Sequence, residues 1–298
     1  NINNNNNNNI NNNFNNNNNN NNYNANNYNA NNYNNPPQQN SSPDKQRGNA
    51  ELNDAPRMLS GKISNMKNRK DVNGLLKLYS QHASQMNAIH FANIFGSLAS
   101  NVRGPGVAKL QSDENYRSLY RQTIDKLKSN PEWFDLRQIA TITHSLAKMK
   151  IADGKFFELV ANLRERIAKE GDPQHLSNIC WAFATIGHKS DQLFDAVAGE
   201  HRRFAEKAKV QELSNTVWAF ATLGHHSNAL FHSVASQHER IVRDGNTQNL
   251  SNTSWAFAKL ECKASNLFTA IGDSHAKVSE RALMKTRNLC MRATTKLN

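Results

Sequence analysis

LSNICWAFATIG begins at Leu176, LSNTVWAFATLG at Leu213 and LSNTSWAFAKLE at Leu250, so one pattern recurs every 37 residues. The same interval separates three Leu-Phe pairs, at 193–194, 230–231 and 267–268. A weaker copy, IATITHSLAKM, begins at residue 139, and a partial copy, FANIFGSLA, begins 48 residues before it. Because a fixed period of this length is typical of proteins built from stacked repeats, the repeat decides the fold.

Each unit is predicted to form two helices. The first helix has Asp172 as its N-cap, Pro173 at its first position and Gly187 at its end, residues that favour starting and stopping a helix. Equivalent caps precede the other helices, at Asp135, Asn246, Ser190, Ser227 and Asp153. Apolar residues at helical spacing mark one face of each helix, and a single hairpin cannot bury both faces. The sequence therefore predicts an all-α, right-handed α-solenoid of helical hairpins.

Composition divides the chain into five segments. Residues 1–43 are almost all Asn and contain no charged side chain, which predicts a disordered low-complexity tail that lacks the basic residues of a targeting peptide. The remaining segments are a basic linker at 44–70, a degenerate repeat with an insertion near Gly104-Pro105-Gly106 at 71–134, four helical-hairpin repeats at 135–282 and a basic degenerate end at 283–298.

Several classes of protein are disfavoured by the sequence. No apolar run approaches the roughly 18 residues that a membrane span needs, so we expect no membrane partner. The three cysteines, Cys180, Cys262 and Cys290, lack the spacing of a zinc site or a disulfide scaffold. Neither phosphate-binding loops nor catalytic motifs are present, so we expect no enzyme activity, no cofactor, no metal and no small-molecule substrate.

Positive charge is concentrated at the two ends of the repeat region. The net charge is +12, of which residues 44–70 contribute +4 and residues 275–298 contribute +5. The residues between these segments carry +3, and the Asn-rich tail carries none. Basic flanks favour association with a polyanion such as RNA. They would equally favour association with the acidic surface of a protein partner.

One column of cations recurs with the repeat. We call it the Arg column, and it consists of Arg166, Arg203, Arg240 and Lys277. At 100° per residue, Arg203 lies about 150° from the middle of its helix's apolar face, which predicts that it points to solvent. Such a row suits a phosphate backbone. An ordinary solvated helix face is the alternative.

A second set of columns lies on the first helix, opposite its apolar face. We call it the polar stripe, and it consists of Gln174, Asn178, Trp181, Gln211, Asn215, Trp218, Gln248, Asn252 and Trp255, continued by Thr185, Thr222 and Lys259. Amides beside an indole can read and stack single-stranded bases. Two alternatives remain open: the Trp side chains belong to the core, or the Asn side chains join adjacent repeats or grip an extended peptide.

Two columns contain potential metal ligands. Arg164, His201, His238 and His275 fall within the apolar face of the second helix, which predicts packed, hydrogen-bonded histidines. His188, His225 and Cys262 follow the first helix. A spacing of one helix diameter is too wide for a single zinc ion, so neither column is predicted to bind metal.

The LSNxxWAFATLG helix, the Leu-Phe helix after it, the period and Pro131-Glu132-Trp133 ahead of a repeat resemble octotricopeptide-type RNA-binding repeats. Similar repeats occur in FAST-kinase-like and RAP-domain proteins and in subunit 6 of the RNA-editing substrate-binding complex of mitochondria. The resemblance covers residues 63–275 and includes no terminal RAP domain. It implies a factor for RNA processing, stability or editing in a mitochondrion or plastid.

Together these observations predict a non-enzymatic adaptor that binds single-stranded RNA, with other subunits of an RNA-processing complex as further partners. In this interpretation the Arg column holds phosphates and the polar stripe meets bases. The two features lie on different helices, so one of them is structural if they do not share a face. The alternative function is an armadillo-like scaffold for protein interactions.

Overall fold

The computed structural model describes residues 46–274, and it describes side chains from residue 56 onward. The chain divides into two units, Asn1–Ala50 and Glu51–Asn298. Apart from the first residues of α1 (Gln46–Asn68), every helix below belongs to the second unit. That part of the chain is all-α, as predicted, and contains no strand within residues 46–274. The predicted tail at 1–43, the segment at 283–298, His275 and Lys277 lie outside the described residues.

The first helices of the repeats, which we call the A helices, recur at the interval of the sequence repeat. They are α6 (Leu136–Lys148), α9 (Pro173–Ile186), α12 (Val210–Leu223) and α15 (Thr247–Lys259), and their first residues are spaced by 37. Asp135, Asp172 and Asn246 occupy the N-cap positions, as predicted. The turns after α9 and α12 place Gly187 and Gly224 in the left-handed region, at φ 72° and 71°. Glycine ends these helices because a Cβ is unfavourable there.

The second helix is broken in the three units that begin with α6, α9 and α12, which corrects the prediction of a two-helix hairpin for these units. Its two parts are α7 (Gly154–Ala161) and α8 (Arg164–Glu170), α10 (Asp191–Gly199) and α11 (His201–Lys207), and α13 (Asn228–Ala235) and α14 (His238–Asp244). At each break the backbone tightens into an i to i−3 hydrogen bond, of which Glu200 N to Val197 O at 3.2 Å is one. Each of these three units therefore contains three helices.

The degenerate repeat at 71–134 has its own arrangement. It comprises α2 (Val72–His82), α3 (Ala88–Asn101), α4 (Pro105–Ser112) and α5 (Glu114–Ser129), with 3₁₀ turns at Ala83–Gln85 and Pro131–Trp133. The predicted insertion near Gly104-Pro105-Gly106 forms the start of α4. Helix α3 corresponds to an A helix and packs beside α6, while the unbroken α5 stands where later units have two short helices.

Recurring aromatic contacts hold successive units together. The A helices pack side by side in the order α3, α6, α9, α12 and α15. Between units, a phenylalanine of the second helix meets one of the next A helix in three pairs, Phe157–Phe183, Phe194–Phe220 and Phe231–Phe257, with ring centroids 5.1, 4.8 and 4.8 Å apart. All six rings are fully buried. Burying each ring stabilises the fold by about 1.5–3 kcal/mol, so these pairs contribute to holding the units together beside the contacts between A helices. The right-handed sense of the solenoid stays a prediction.

Candidate nucleic-acid interface

The polar stripe lies on the side of the A helices that faces away from the core. The glutamines are its most accessible members, and all three, Gln174, Gln211 and Gln248, are exposed. Helix geometry explains this position, because residues spaced i, i+4, i+7 and i+11 share one face of a helix. Leu176, Ile179 and Phe183 lie on the opposite face of α9 and are completely buried. The glutamines of the stripe are thus available to a ligand along the row of A helices.

The asparagines of the stripe differ in accessibility. Asn178 and Asn252 are half-buried, whereas Asn215 is only 8% exposed and offers little to a ligand. Gln248 Nε2 donates to Asn252 Oδ1 at 2.7 Å, along one helix. No hydrogen bond joins Asn178, Asn215 and Asn252 to one another in the described part of the chain, so they form no ladder between repeats there. Helices α12 and α15 are joined instead by Ser214 Oγ, which donates to the Asn249 carbonyl at 3.2 Å.

The tryptophans lie at the border between core and surface. Trp181 and Trp218 are half-buried and pack against the hydrophobic core, whereas Trp255 is 42% exposed. The Trp181 ring also lies against His144 of the preceding A helix, with ring centroids 4.7 Å apart. An indole in this position contributes packing on one side and leaves an edge at the surface. Core packing and ligand binding are therefore compatible for this column.

The Arg column does not point to solvent, so that prediction is wrong. Arg203 Nη1 donates to the Gly171 carbonyl at 2.9 Å and Nη2 to the Ala168 carbonyl, while Nε donates to Glu200. Gly171 and Ala168 lie at the end of α8, in the preceding repeat. A helix leaves its last carbonyls without partners within the helix, and a guanidinium there also interacts favourably with the helix dipole.

The other members of the column make equivalent contacts. Arg240 donates to the carbonyls of Ala205 and Glu206 at the end of α11. Arg166 donates to the carbonyls of Pro131 and Phe134, at 3.2 and 3.0 Å. These contacts join each unit to the one before it. The spacing of 37 residues therefore reflects a connection between repeats, and the guanidinium groups have few donors left for phosphates.

The histidine columns also serve the fold. His201 Nδ1 lies 2.8 Å from Ser233 Oγ of the next unit, which confirms a packed, hydrogen-bonded histidine at that position. His225 lies between Asp191 and Asp195, with nitrogen to oxygen distances of 3.3 and 2.9 Å. Within residues 46–274 no group of three or more His, Cys, Asp or Glu side chains is arranged to hold a metal ion. Burial raises the pKa of the Cys180 thiol to about 12, so this thiol stays protonated.

The two ends of the polar stripe differ in charge. Lys148 and Lys259 lie in the last turns of their A helices. Arg103 and Lys67 lie close enough to Lys148 to affect the pKa of its amine. Burial, followed by repulsion from these two cations, lowers the pKa of Lys148. Phosphates would relieve this repulsion. Lys259 belongs to the stripe as predicted from the sequence, whereas Lys148 was missed, although extending the stripe by one repeat toward the N-terminus reaches it.

The opposite end is mixed in sign. Arg137 is exposed in the first turn of α6, and the acidic residues Asp135, Asp172 and Glu212 also lie at the N-terminal ends of A helices. Burial raises the pKa of Glu212, with Asp172 adding to the effect and hydrogen bonding at Lys209 opposing it. Lys148 and Lys259 favour an anionic ligand at the basic end, although the helix dipoles oppose an anion where the A helices finish.

These features define an all-α repeat protein with a polar and aromatic face along its A helices. The family model described as RNA-editing substrate-binding complex 6 protein matches residues 105–297, and the chain belongs to this family. The match begins later than the resemblance seen in the sequence and extends beyond it at the C-terminal end. A search of curated proteins finds no match. No helix in the described part of the chain combines the length and apolar character needed to cross a bilayer.

Proposed function

We propose that the chain binds single-stranded RNA along the polar stripe, as a non-catalytic subunit of an RNA-editing or RNA-processing complex. The observation that carries the proposal is the run of exposed glutamines beside tryptophan edges on successive A helices. Membership of a family named for an RNA-editing substrate-binding complex supports the same class of ligand. It also favours the mitochondrion over the plastid and other subunits of that complex as partners.

The proposed contacts follow from the chemistry of each group. The exposed amides of Gln174, Gln211 and Gln248 can donate to and accept from base edges. The edges of the indoles, most of all Trp255, provide surfaces for stacking. Lys148 and Lys259 hold phosphates at the ends of their helices. The Arg column has no direct part in this scheme, because its donors are engaged with backbone carbonyls.

The alternative of an armadillo-like peptide scaffold has weaker support. Gripping a peptide backbone through a row of asparagines requires that each amide be accessible. Asn215 is buried, so the row is interrupted in the middle of the described repeats. The basic end of the stripe and the family both favour RNA over a peptide of unspecified charge.

Binding of a fluorescein-labelled single-stranded RNA, measured by anisotropy across a salt series, tests the proposal. Replacing Gln174, Gln211 and Gln248 together with Ala should weaken binding roughly tenfold at constant salt slope, because three uncharged amides that bind bases are removed. The Lys148→Gln and Lys259→Gln pair should instead reduce the slope by about 0.7 for each phosphate that is no longer neutralised.

Matched controls lie elsewhere on the same chain. Gln192→Ala, on α10, removes an exposed amide outside the stripe, and the pair Lys155→Gln and Lys189→Gln removes two exposed cations outside it. Each control should leave affinity and slope closer to the wild type than the corresponding stripe variant. A chain that binds no RNA at low salt, or controls that weaken binding as much as the stripe variants, would contradict the proposal.

A further inference from the structure

Helix α1 extends the row of A helices by one member at its N-terminal end. The ring nitrogen Nε2 of His90 in α3 lies 2.9 Å from the Pro56 carbonyl oxygen of α1, and Asn101 Nδ2 donates to the Lys67 carbonyl at 3.4 Å. Each contact joins residues that are 34 apart in the sequence, so α1 and α3 run parallel. The ends of α1 and α3 therefore lie next to each other, and α6 follows α3 in the row.

Five cations lie where these three helices finish, and we call this set the basic corner. Lys67 and Lys148 are in the last turns of α1 and α6, and Arg103 comes just after α3. Lys70 and Lys150 come just after α1 and α6, and both are exposed, as is Arg103. None of the five side chains forms an ion pair or a hydrogen bond with another described residue. The basic corner therefore has cations available for an anionic ligand.

The members of the basic corner act on one another although they come from different helices. Burial, followed by repulsion from Arg103 and Lys67, lowers the pKa of Lys148. Repulsion of this kind falls off with distance, so the ends of α1, α3 and α6 present their charges on one surface. A phosphate bound among these cations would relieve the repulsion and release the counterions that accompany it.

Stabilisation of helix ends does not explain the basic corner. A cation in the last turn of a helix offsets the negative end of the helix dipole, which accounts for one cation on each helix. The last turns of α9 and α12, however, contain no basic residue. The same row of helices thus forms without such cations farther along the chain. The surplus of charge is specific to the end that contains α1, α3 and α6.

The backbone gives a second, independent indication. Lys70 and Lys150 have φ of 56° and 60°, in the left-handed region that favours glycine. After α9 and α12 the chain places Gly187 and Gly224 in this conformation, at φ 72° and 71°. Lysine is less favourable than glycine there. Residues held in an unfavourable backbone conformation often serve function, and here the feature gained is a cation at the basic corner.

A cleft of about 250 Å³ opens beside Arg103 and adds further donors. Lys109 and the amides of Asn73 and Asn101 line it together with Arg103. Asp113 is the acidic residue of the lining, and its Oδ1 accepts from two backbone amides at the start of α5, at 2.8 and 3.1 Å. Since one water molecule takes about 30 Å³, the cleft has room for a phosphate group and several waters.

We propose that the basic corner anchors phosphate groups of a single-stranded RNA where the strand enters the polar stripe. The inference rests on the proposed function, because it states how the strand is held at the N-terminal end of the row of A helices. The anchor contacts phosphates and no bases, so it holds RNA of any sequence. Contacts with bases belong to the polar stripe.

A fluorescein-labelled strand of abasic nucleotides, which has phosphates but no bases, tests the anchor by anisotropy across a salt series. The double variant Lys70→Gly, Lys150→Gly should weaken its binding roughly tenfold at about 0.1 M salt. The salt slope should fall by about 0.7 for each phosphate that is no longer neutralised. The melting temperature should stay the same or rise, because glycine accepts a positive φ more readily than lysine does.

Glu261→Gly is the matched control. Glu261 is exposed, comes just after α15 and has φ 55°, so the substitution relieves the same backbone conformation without removing a cation. Its melting temperature should respond as in the lysine variant, while binding of the abasic strand should be no weaker than in the wild type. Equal losses of binding in the control and the lysine variant would overturn the proposal, since the cause would then lie in the backbone.

The abasic strand distinguishes failure of the anchor from failure of the proposed function. If the lysine variant loses affinity for this strand, the anchor is supported even where replacing Gln174, Gln211 and Gln248 has no effect on RNA binding. The proposal is overturned if the wild type does not bind the abasic strand at low salt. It is also overturned if the lysine variant binds this strand and RNA with the affinity and slope of the wild type. An acidic protein surface would then be the partner that suits the charges.

Discussion

Arg203 illustrates how a regularly recurring cation can hold repeats together. Its guanidinium reaches the end of α8 in the preceding unit and donates to two backbone carbonyls there. Hydrogen bonds from charged groups contribute about 1.5–3 kcal/mol, and removing the donor leaves the carbonyls unsatisfied. We therefore expect Arg203→Ala to lower the free energy of unfolding by about 2–3 kcal/mol, measured by urea denaturation.

Arg202 is the control for this prediction. It is the neighbouring residue, carries the same charge and is exposed. Arg202→Ala should change the stability by no more than about 0.5 kcal/mol, as is usual for exposed positions. Equal loss of stability in the two variants would show that Arg203 does not join the repeats.

His144 connects the stability of the fold to pH. Burial, with a further contribution from Lys148, lowers the pKa of His144 from 6.5 to about 4. The folded state therefore binds fewer protons than the unfolded state between these values. The contribution of His144 to the free energy of unfolding is fully present above pH 6.5 and is lost as the pH falls toward 4. The loss amounts to at most about 3 kcal/mol.

His144→Phe isolates this contribution, because it keeps a flat ring against Trp181 but does not titrate. Urea unfolding of wild type and variant should be compared between pH 7 and about pH 4. Both proteins contain the same carboxylates, so the effect of carboxylate titration cancels in the difference between their free energies of unfolding. The stability difference should shift in favour of the variant as the pH falls. A difference that is independent of pH would contradict the assignment.

The ends of the A helices depend on glycine for a reason that can be tested. Gly187 has φ 72°, and a Cβ placed there would meet no atom within 4 Å, so only the backbone conformation disfavours another residue. Gly187→Ala should destabilise the protein by about 1–2 kcal/mol. Gly199 in α10 also has open space but lacks a positive φ. Gly199→Ala should be neutral or stabilising, and thermal melts that show equal losses would contradict this account.

The A helices were predictable and the broken second helices were not. Caps, glycine stops and apolar spacing define α9 and α12 within the sequence itself. The apolar positions Leu193, Val197 and Phe204 keep helical spacing across the break at Glu200, so the apolar pattern does not predict the break. The residues at the three breaks also share no type, and none is proline. The break therefore does not follow from a residue type shared by the three positions.

Packing of the units in the whole molecule explains which predictions about site residues agree with the structure. The repeat period identified an all-α fold because the pattern recurs locally, and helix geometry alone placed the glutamines on the surface. Arg203 was predicted to point to solvent, but its guanidinium donates to carbonyls about 35 residues away in another unit. No pattern within one helix specifies such a contact. Burial of Asn215 likewise arises only when units are packed together.

The central claim is that RNA lies along the A helices. It is tested most directly by photo-crosslinking a single-stranded RNA containing 4-thiouridine to the full chain and mapping the linked peptides by mass spectrometry. We predict crosslinks in the peptides that carry Trp181, Trp218 and Trp255, with fewer when Gln174, Gln211 and Gln248 are replaced together. Crosslinks confined to the second helices, in α10, α11, α13 and α14, would contradict the claim.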